Sequence, residues 1–89
     1  MDITVRRNAF GRQVDSFERD LSLKQIGEKK FPAVFIRAPL LENPGKSVTV
    51  LAEIGKNKIV AAQQNKLLAT CFHPELTNDT RMHEYFLTL

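Results

Sequence analysis

Cysteine is almost missing from this sequence: Cys71 stands alone among 89 residues, so no disulfide can form within the chain. A reducing, cytoplasmic setting is the expectation. No apolar run approaches the ~20 residues that a membrane-spanning helix needs, and no charged-then-apolar leader opens the chain. A membrane role is therefore not expected. Charge of one sign is never concentrated either. The net charge is +3, with Arg6, Arg7 and Arg12 near the start and Lys24, Lys29 and Lys30 in the middle. A nucleic-acid binder gathers its basic residues on one face or stripe, and no such pattern is visible here. Internal repeats and low-complexity tracts are absent. What is present is ordinary: 43% hydrophobic and 26% charged residues, in a length sufficient for one small globular domain.

Hydrophobic period assigns the elements. Met1, Ile3 and Val5 alternate with polar residues, which predicts a half-buried strand. Asn8–Gln13 breaks the pattern, and Gly11 permits a turn there. A second short strand is expected over Ser16–Leu23, followed by a polar connection at Gly27–Lys30. Ala33–Ile36 is a continuous apolar run between Pro32 and Pro39, which predicts a strand buried on both faces. Leu40–Lys46, with Pro44 and Gly45, reads as a loop. Ser47–Ile54, Lys58–Gln63 and Leu67–Phe72 are strand-like and closely spaced, joined at Gly55-Lys56-Asn57 and at Gln64-Asn65-Lys66; an antiparallel meander is the simplest arrangement. At the end, Met82, Tyr85, Phe86 and Leu89 have helical spacing. Thr77 or Asn78 is expected to cap that helix, with Asp79 in its first turn.

About six strands and one helix make an unbalanced inventory. A sheet with two apolar faces needs a covering layer on each, and one helix cannot supply both. The expectation is a piece of something larger, or an obligate partner in a complex.

The segment Thr70-Cys71-Phe72-His73-Pro74-Glu75-Leu76 carries the chemistry. It follows an apolar strand, and His73 and Glu75 are two apart, which in an extended segment puts both side chains on one side. Pro74 biases His73 toward extended geometry. A carboxylate so placed orients an imidazole and stabilises its charged form, making His73 a general base and acid for a nucleophile supplied from elsewhere. Read in isolation, the same tripeptide is more often a surface or core histidine near a turn.

Phe72-His73-Pro74-Glu75 resembles the His-Pro-Glu signature of class I glutamine amidotransferases. Arg7–Gln13, Phe35-Ile36-Arg37-Ala38-Pro39 and Phe72–Thr77, in this order and spacing, resemble one family within that class, the PdxT/SNO glutaminase subunits of pyridoxal 5′-phosphate synthase. The resemblance covers the whole chain. It implies an α/β fold, the C-terminal part of a three-layer flavodoxin-like amidotransferase domain, with residues 1–89 as one partial domain of mostly strands plus one C-terminal helix. It implies His73 and Glu75 as the histidine and glutamate of a Cys–His–Glu triad, and Arg7, Ile36 and Arg37 as residues that bind L-glutamine. The implied reaction is hydrolysis of the glutamine side-chain amide, with ammonia passing to a synthase subunit; no cofactor is implied. Arg7 and Arg37 also admit a plainer role as solvated charges or ion-pair partners, although two guanidinium forks suit a carboxylate-bearing substrate. Ile36 would contribute only backbone groups.

Enzymes of this class carry their nucleophilic cysteine on a tight Gly-x-Cys-x-Gly turn. No such pattern occurs here, nor does the Gly-rich oxyanion segment. Cys71 sits where the family commonly has a small hydroxyl residue, and is expected to be a packed side chain. Arg6, Gln64-Asn65-Lys66 and Ala69 also depart from family preference. The expectation is thus the C-terminal half of the family's domain, inactive alone. Three other roles compete: a non-catalytic interaction module, a metal site from Cys71, His73, Glu75 and His83, and nucleic-acid binding through Arg6, Arg7 and Arg12.

Overall fold

A computed structural model describes residues 1–7 and 16–89. The expected loop Asn8–Gln13, with Gly11 and Arg12, lies outside the described residues. Among the described residues, seven strands form two antiparallel sheets. The larger runs in the order β1 (Thr4–Arg6), β4 (Leu40–Glu42), β6 (Ile59–Gln64), β5 (Thr49–Glu53), with β7 (Leu67–Thr70) also paired to β6. The smaller is a ribbon of β2 (Ser16–Leu21) and β3 (Phe31–Ile36), in register from Ser16 opposite Ile36 to Leu21 opposite Phe31. An α-helix, α1 (Arg81–Leu87), follows. No helix among the described residues is long and apolar enough to cross a membrane.

The expected meander is present as β5–β6–β7, and its centre explains its composition. Val60, Ala61 and Ala62 of β6 are all fully buried, and small side chains there let neighbouring layers approach. Leu51 and Ala52 are adjacent yet both buried, because the β5–β6 register shifts on either side of Ala52 and a bulge turns a strand's face. Asn65 and Asn57 turn the chain with φ of 54° and 63°, a conformation asparagine tolerates better than most residues.

Three expectations need correction. β3 is not buried on both faces: Phe31, Ala33 and Phe35 point inward, while Pro32 and Ile36 are exposed. Its apolar run is wider than the cover this chain provides. Leu40–Glu42, read as loop, forms β4, because Leu41 pairs with both Val5 and Ile59 and both leucines are buried. Strand propensity in three residues between Pro39 and Pro44 is invisible locally; tertiary pairing creates it. Finally, α1 begins later than expected, with Thr80 at the cap position rather than Thr77 or Asn78. Of its apolar stripe only Met82 is fully buried, and Phe86 is exposed.

Asp79 and Arg81 hold α1 in place. The Asp79 carboxylate accepts the Arg81 backbone N–H at 3.1 Å and the guanidinium at 2.6–3.1 Å. The same guanidinium donates to the carbonyls of Lys29 at 2.7 Å and Lys30 at 3.0 Å, tying the helix to the connection before β3. Hydrogen bonds from Arg81 hold the Asp79 carboxyl below its ordinary value of 3.8. Because the folded value lies lower than the unfolded one, this pair's stabilisation is complete above about pH 4 and drains away as pH falls further. The Asp79→Asn variant is expected to melt roughly 5 °C lower at pH 7 and to show a flatter decline below pH 4. Thermal melts from pH 7 to pH 2 measure both; parallel curves for parent and variant would refute this assignment.

Candidate active site

The site begins where the chain crosses from one sheet to the other. After β7 ends at Thr70, the Cys71 N–H still bonds the Val60 carbonyl of β6 at 2.8 Å, but the His73 N–H bonds the Val34 carbonyl of β3, also at 2.8 Å. Between them the Phe72 ring, 3% exposed, wedges into an aromatic cluster. Its centroid lies 5.8 Å from Phe31 and 5.7 Å from Phe35, and Phe35 stacks on Phe17 at 4.7 Å. The histidine backbone is therefore built on a rigid aromatic base.

His73 has φ −107° and ψ 91°, the extended geometry that a following proline favours. Pro74–Glu75–Leu76 then form a 3-10 turn, with Leu76 N–H bonded to His73 carbonyl at 3.1 Å. An extended His-Pro-Glu was expected, so the route differs. Proline suits the first position of a helical turn, where it has no N–H to satisfy, and the turn swings Glu75 back toward the ring. The outcome is the expected pairing: His73 Nδ1 and Glu75 Oε2 are 3.0 Å apart, with side chains 41% and 59% exposed. The hydrogen bond from His73 is the main cause that holds the Glu75 carboxyl below its ordinary range. With the proton on Nδ1, the lone pair on Nε2 is the one able to take a proton.

Cys71 points the other way. It is 5% exposed, its sulfur lies 4.0 Å from the Ile59 carbonyl, and burial pushes its thiol up to about 11. A thiol that stays protonated near neutral pH is no nucleophile. The folded chain is expected to react with a thiol reagent such as Ellman's at least 100-fold slower than the urea-unfolded chain; a fast reaction in native buffer would contradict this placement.

Arg7 and Arg37 lie at one cleft. Pairing of Arg6 with Leu40 sets the end of β1 beside Pro39, and the two arginines line one cleft of about 310 Å³ with Val5 and Pro39. Arg37 holds φ at 45°, a left-handed backbone that costs a non-glycine residue about 1 kcal/mol or more and that collects at functional positions. Ile36 is exposed on the outer face of β3 and is not among the residues lining the cleft, nor are His73 and Glu75. The described residues thus hold two separate groupings, His73 beside Glu75 and the cleft lined by Arg7 and Arg37. Strand order alone could not join them; the pairing of β1 with β4 is the signal sequence reading missed.

The metal reading finds no support: among the described residues no three His, Cys, Asp or Glu side chains converge. Cys71 is in the core, and His83 lines a separate apolar groove with Leu68, Thr70, Pro74, Met82 and Phe86. Arg6, a candidate nucleic-acid contact, lies 3.8 Å from Glu42 as an ion pair.

Comparison with known proteins covers the chain from end to end. The SNO glutamine amidotransferase family matches residues 1–89. A pyridoxal 5′-phosphate synthase subunit PdxT from Herpetosiphon aurantiacus is 62% identical over all 89 residues, which span 47% of that protein. One from Dehalococcoides mccartyi is 58% identical, with 46% of its length covered. A solved crystal structure of a glutamine amidotransferase superposes with a TM-score of 0.88 at 52% identity, over 98% of this chain and 44% of that one. The chain spans just under half the length of these relatives, and its strand-rich α/β fold with one helix matches that portion of a glutamine amidotransferase.

Proposed function

We propose, from the premise that this chain belongs to the SNO glutamine amidotransferase family, that it supplies the histidine–carboxylate half of a Cys–His–Glu glutaminase. The observation that carries the reading is the 3.0 Å His73–Glu75 pair, open to solvent at the junction of the two sheets. In this scheme a cysteine thiol from a segment other than these 89 residues gives its proton to His73 Nε2. The thiolate attacks the side-chain amide carbon of L-glutamine. His73 returns the proton to the departing nitrogen, releasing ammonia and leaving a thioester. Nε2 then deprotonates water, which attacks the thioester and frees glutamate and the thiol. Glu75 holds the ring's orientation and stabilises the imidazolium formed in each half. The ammonia passes to the synthase subunit of a pyridoxal 5′-phosphate synthase, in a cytoplasmic setting that suits an unpaired, buried cysteine.

The Arg7–Arg37 cleft is the glutamine-recognition half of this reading. Two arginines lining one cleft suit an α-carboxylate, and Ile36 stands next to Arg37 in the chain. Alanine at Arg7 or Arg37 is expected to raise KM for glutamine about 10- to 100-fold with kcat little changed, since both act on bound and reacting substrate alike.

Glutamate release tests the whole proposal. The chain alone is expected to release none. Mixed with the portion of the Herpetosiphon aurantiacus relative that it does not cover, it is expected to release glutamate from glutamine. A mixture that associates yet stays inert would sink the reading. That outcome would favour the second reading, a non-catalytic interaction module, which the exposed side chains of Leu67, Leu76, Phe86 and Leu87 support.

A further inference from the structure

We propose that the Thr70 hydroxyl is a positioning group for the His73 imidazole, acting through the peptide that joins Phe72 to His73. The inference rests on the glutaminase reading, because it takes His73 as the working base. Thr70 Oγ1 donates to the Phe72 carbonyl at 3.0 Å, in a part-buried setting. The other side of that same peptide, the His73 N–H, donates to the Val34 carbonyl at 2.8 Å. A peptide unit is planar, so holding its oxygen and its hydrogen holds the whole plane that leads into the His73 Cα.

This bracing sits where it is needed. Cys71 still belongs to β6 through Val60, whereas His73 already belongs to β3 through Val34. The intervening peptide is the hinge of the crossover, beyond the last ladder pair of β7, Thr70 with Ala61. There the restraint passes to a side-chain hydroxyl. With the plane set, His73 directs its ring at Glu75, 3.0 Å away. A ring aimed differently would lose that bond, and with it the tautomer that leaves Nε2 free to act as base. Small errors in aim are costly in catalysis, since reacting groups must align within a fraction of an ångström.

Two substitutions separate the hydroxyl from the rest of the side chain. Thr70→Val keeps shape and strand preference but has no donor; Thr70→Ser keeps the donor. In the mixture with the relative's remaining portion, Thr70→Val is expected to lower kcat about tenfold with KM within about twofold, and Thr70→Ser to stay close to the parent. Nitrogen-15 spectra of the His73 ring in the 89-residue chain give a readout independent of activity. The parent is expected to show mainly the Nδ1–H form, the valine variant a mixture of tautomers, and the serine variant the parental pattern. A valine variant with parental kcat and parental spectrum overturns the proposal, as does a serine variant impaired as much as the valine one. If the valine variant loses the spectral signature while the parent mixture never hydrolyses glutamine, the positioning role stands and the glutaminase reading falls.

Discussion

His73→Ala is expected to reduce glutamine hydrolysis in the reconstituted enzyme by about 10⁴-fold or more, with little change in KM. The reason is that one ring serves every proton transfer in the scheme. It takes the thiol proton, delivers a proton to the departing nitrogen and then activates water, and removing one member of such a unit costs nearly as much as removing all of it. Glu75→Gln should cost less, roughly 10²- to 10³-fold. The Glu75 carboxylate is 59% exposed, so water screens part of its effect on the imidazolium, while the ring itself survives. Initial rates of glutamate release, compared at saturating and limiting glutamine, measure both. A His73→Ala rate within tenfold of the parent would remove the histidine from the chemistry.

Phe35→Ala is expected to destabilise the fold by about 3–5 kcal/mol. Its ring is fully buried, stacked on Phe17 and edge-on to Phe72, so truncation opens a cavity between β3 and the segment that carries His73. A chain of this size has roughly 4–13 kcal/mol of stability in all, so the loss is a large fraction of it and falls directly beneath the acid–base pair. Phe35→Leu, which keeps most of the volume, should cost less than half as much. Urea denaturation midpoints at constant m-value test the pair; a loss below about 1 kcal/mol for the alanine variant would show that the aromatic cluster is not the base of the site.

Much of this was legible from residues alone, and the reasons are local. The meander follows from closely spaced strand-like runs separated by asparagine-containing turns. The His73–Glu75 pairing follows from two groups tied by a proline with few conformations available. Even there the path was misjudged, since a 3-10 turn rather than an extended strand brings the carboxylate to the ring. The burial of Cys71 agrees with the expectation of a packed side chain at a position where the family commonly has a small hydroxyl residue. The helix was recognised from its spacing but not its start, because Asp79 lies before the helix, where its carboxylate takes the Arg81 backbone N–H and guanidinium, and not within its first turn.

The sequence by itself therefore determined that His73 and Glu75 share a side, because that depends on contacts within a few bonds. Only the tertiary structure decided that Arg7 and Arg37 share a cleft, that Leu40–Glu42 is a strand, that β3 is covered on one face, and that Arg81 ties α1 to the carbonyls of Lys29 and Lys30. Each of those depends on pairing between segments distant along the chain, and neither side-chain period nor turn preference carries information about which distant segment will arrive.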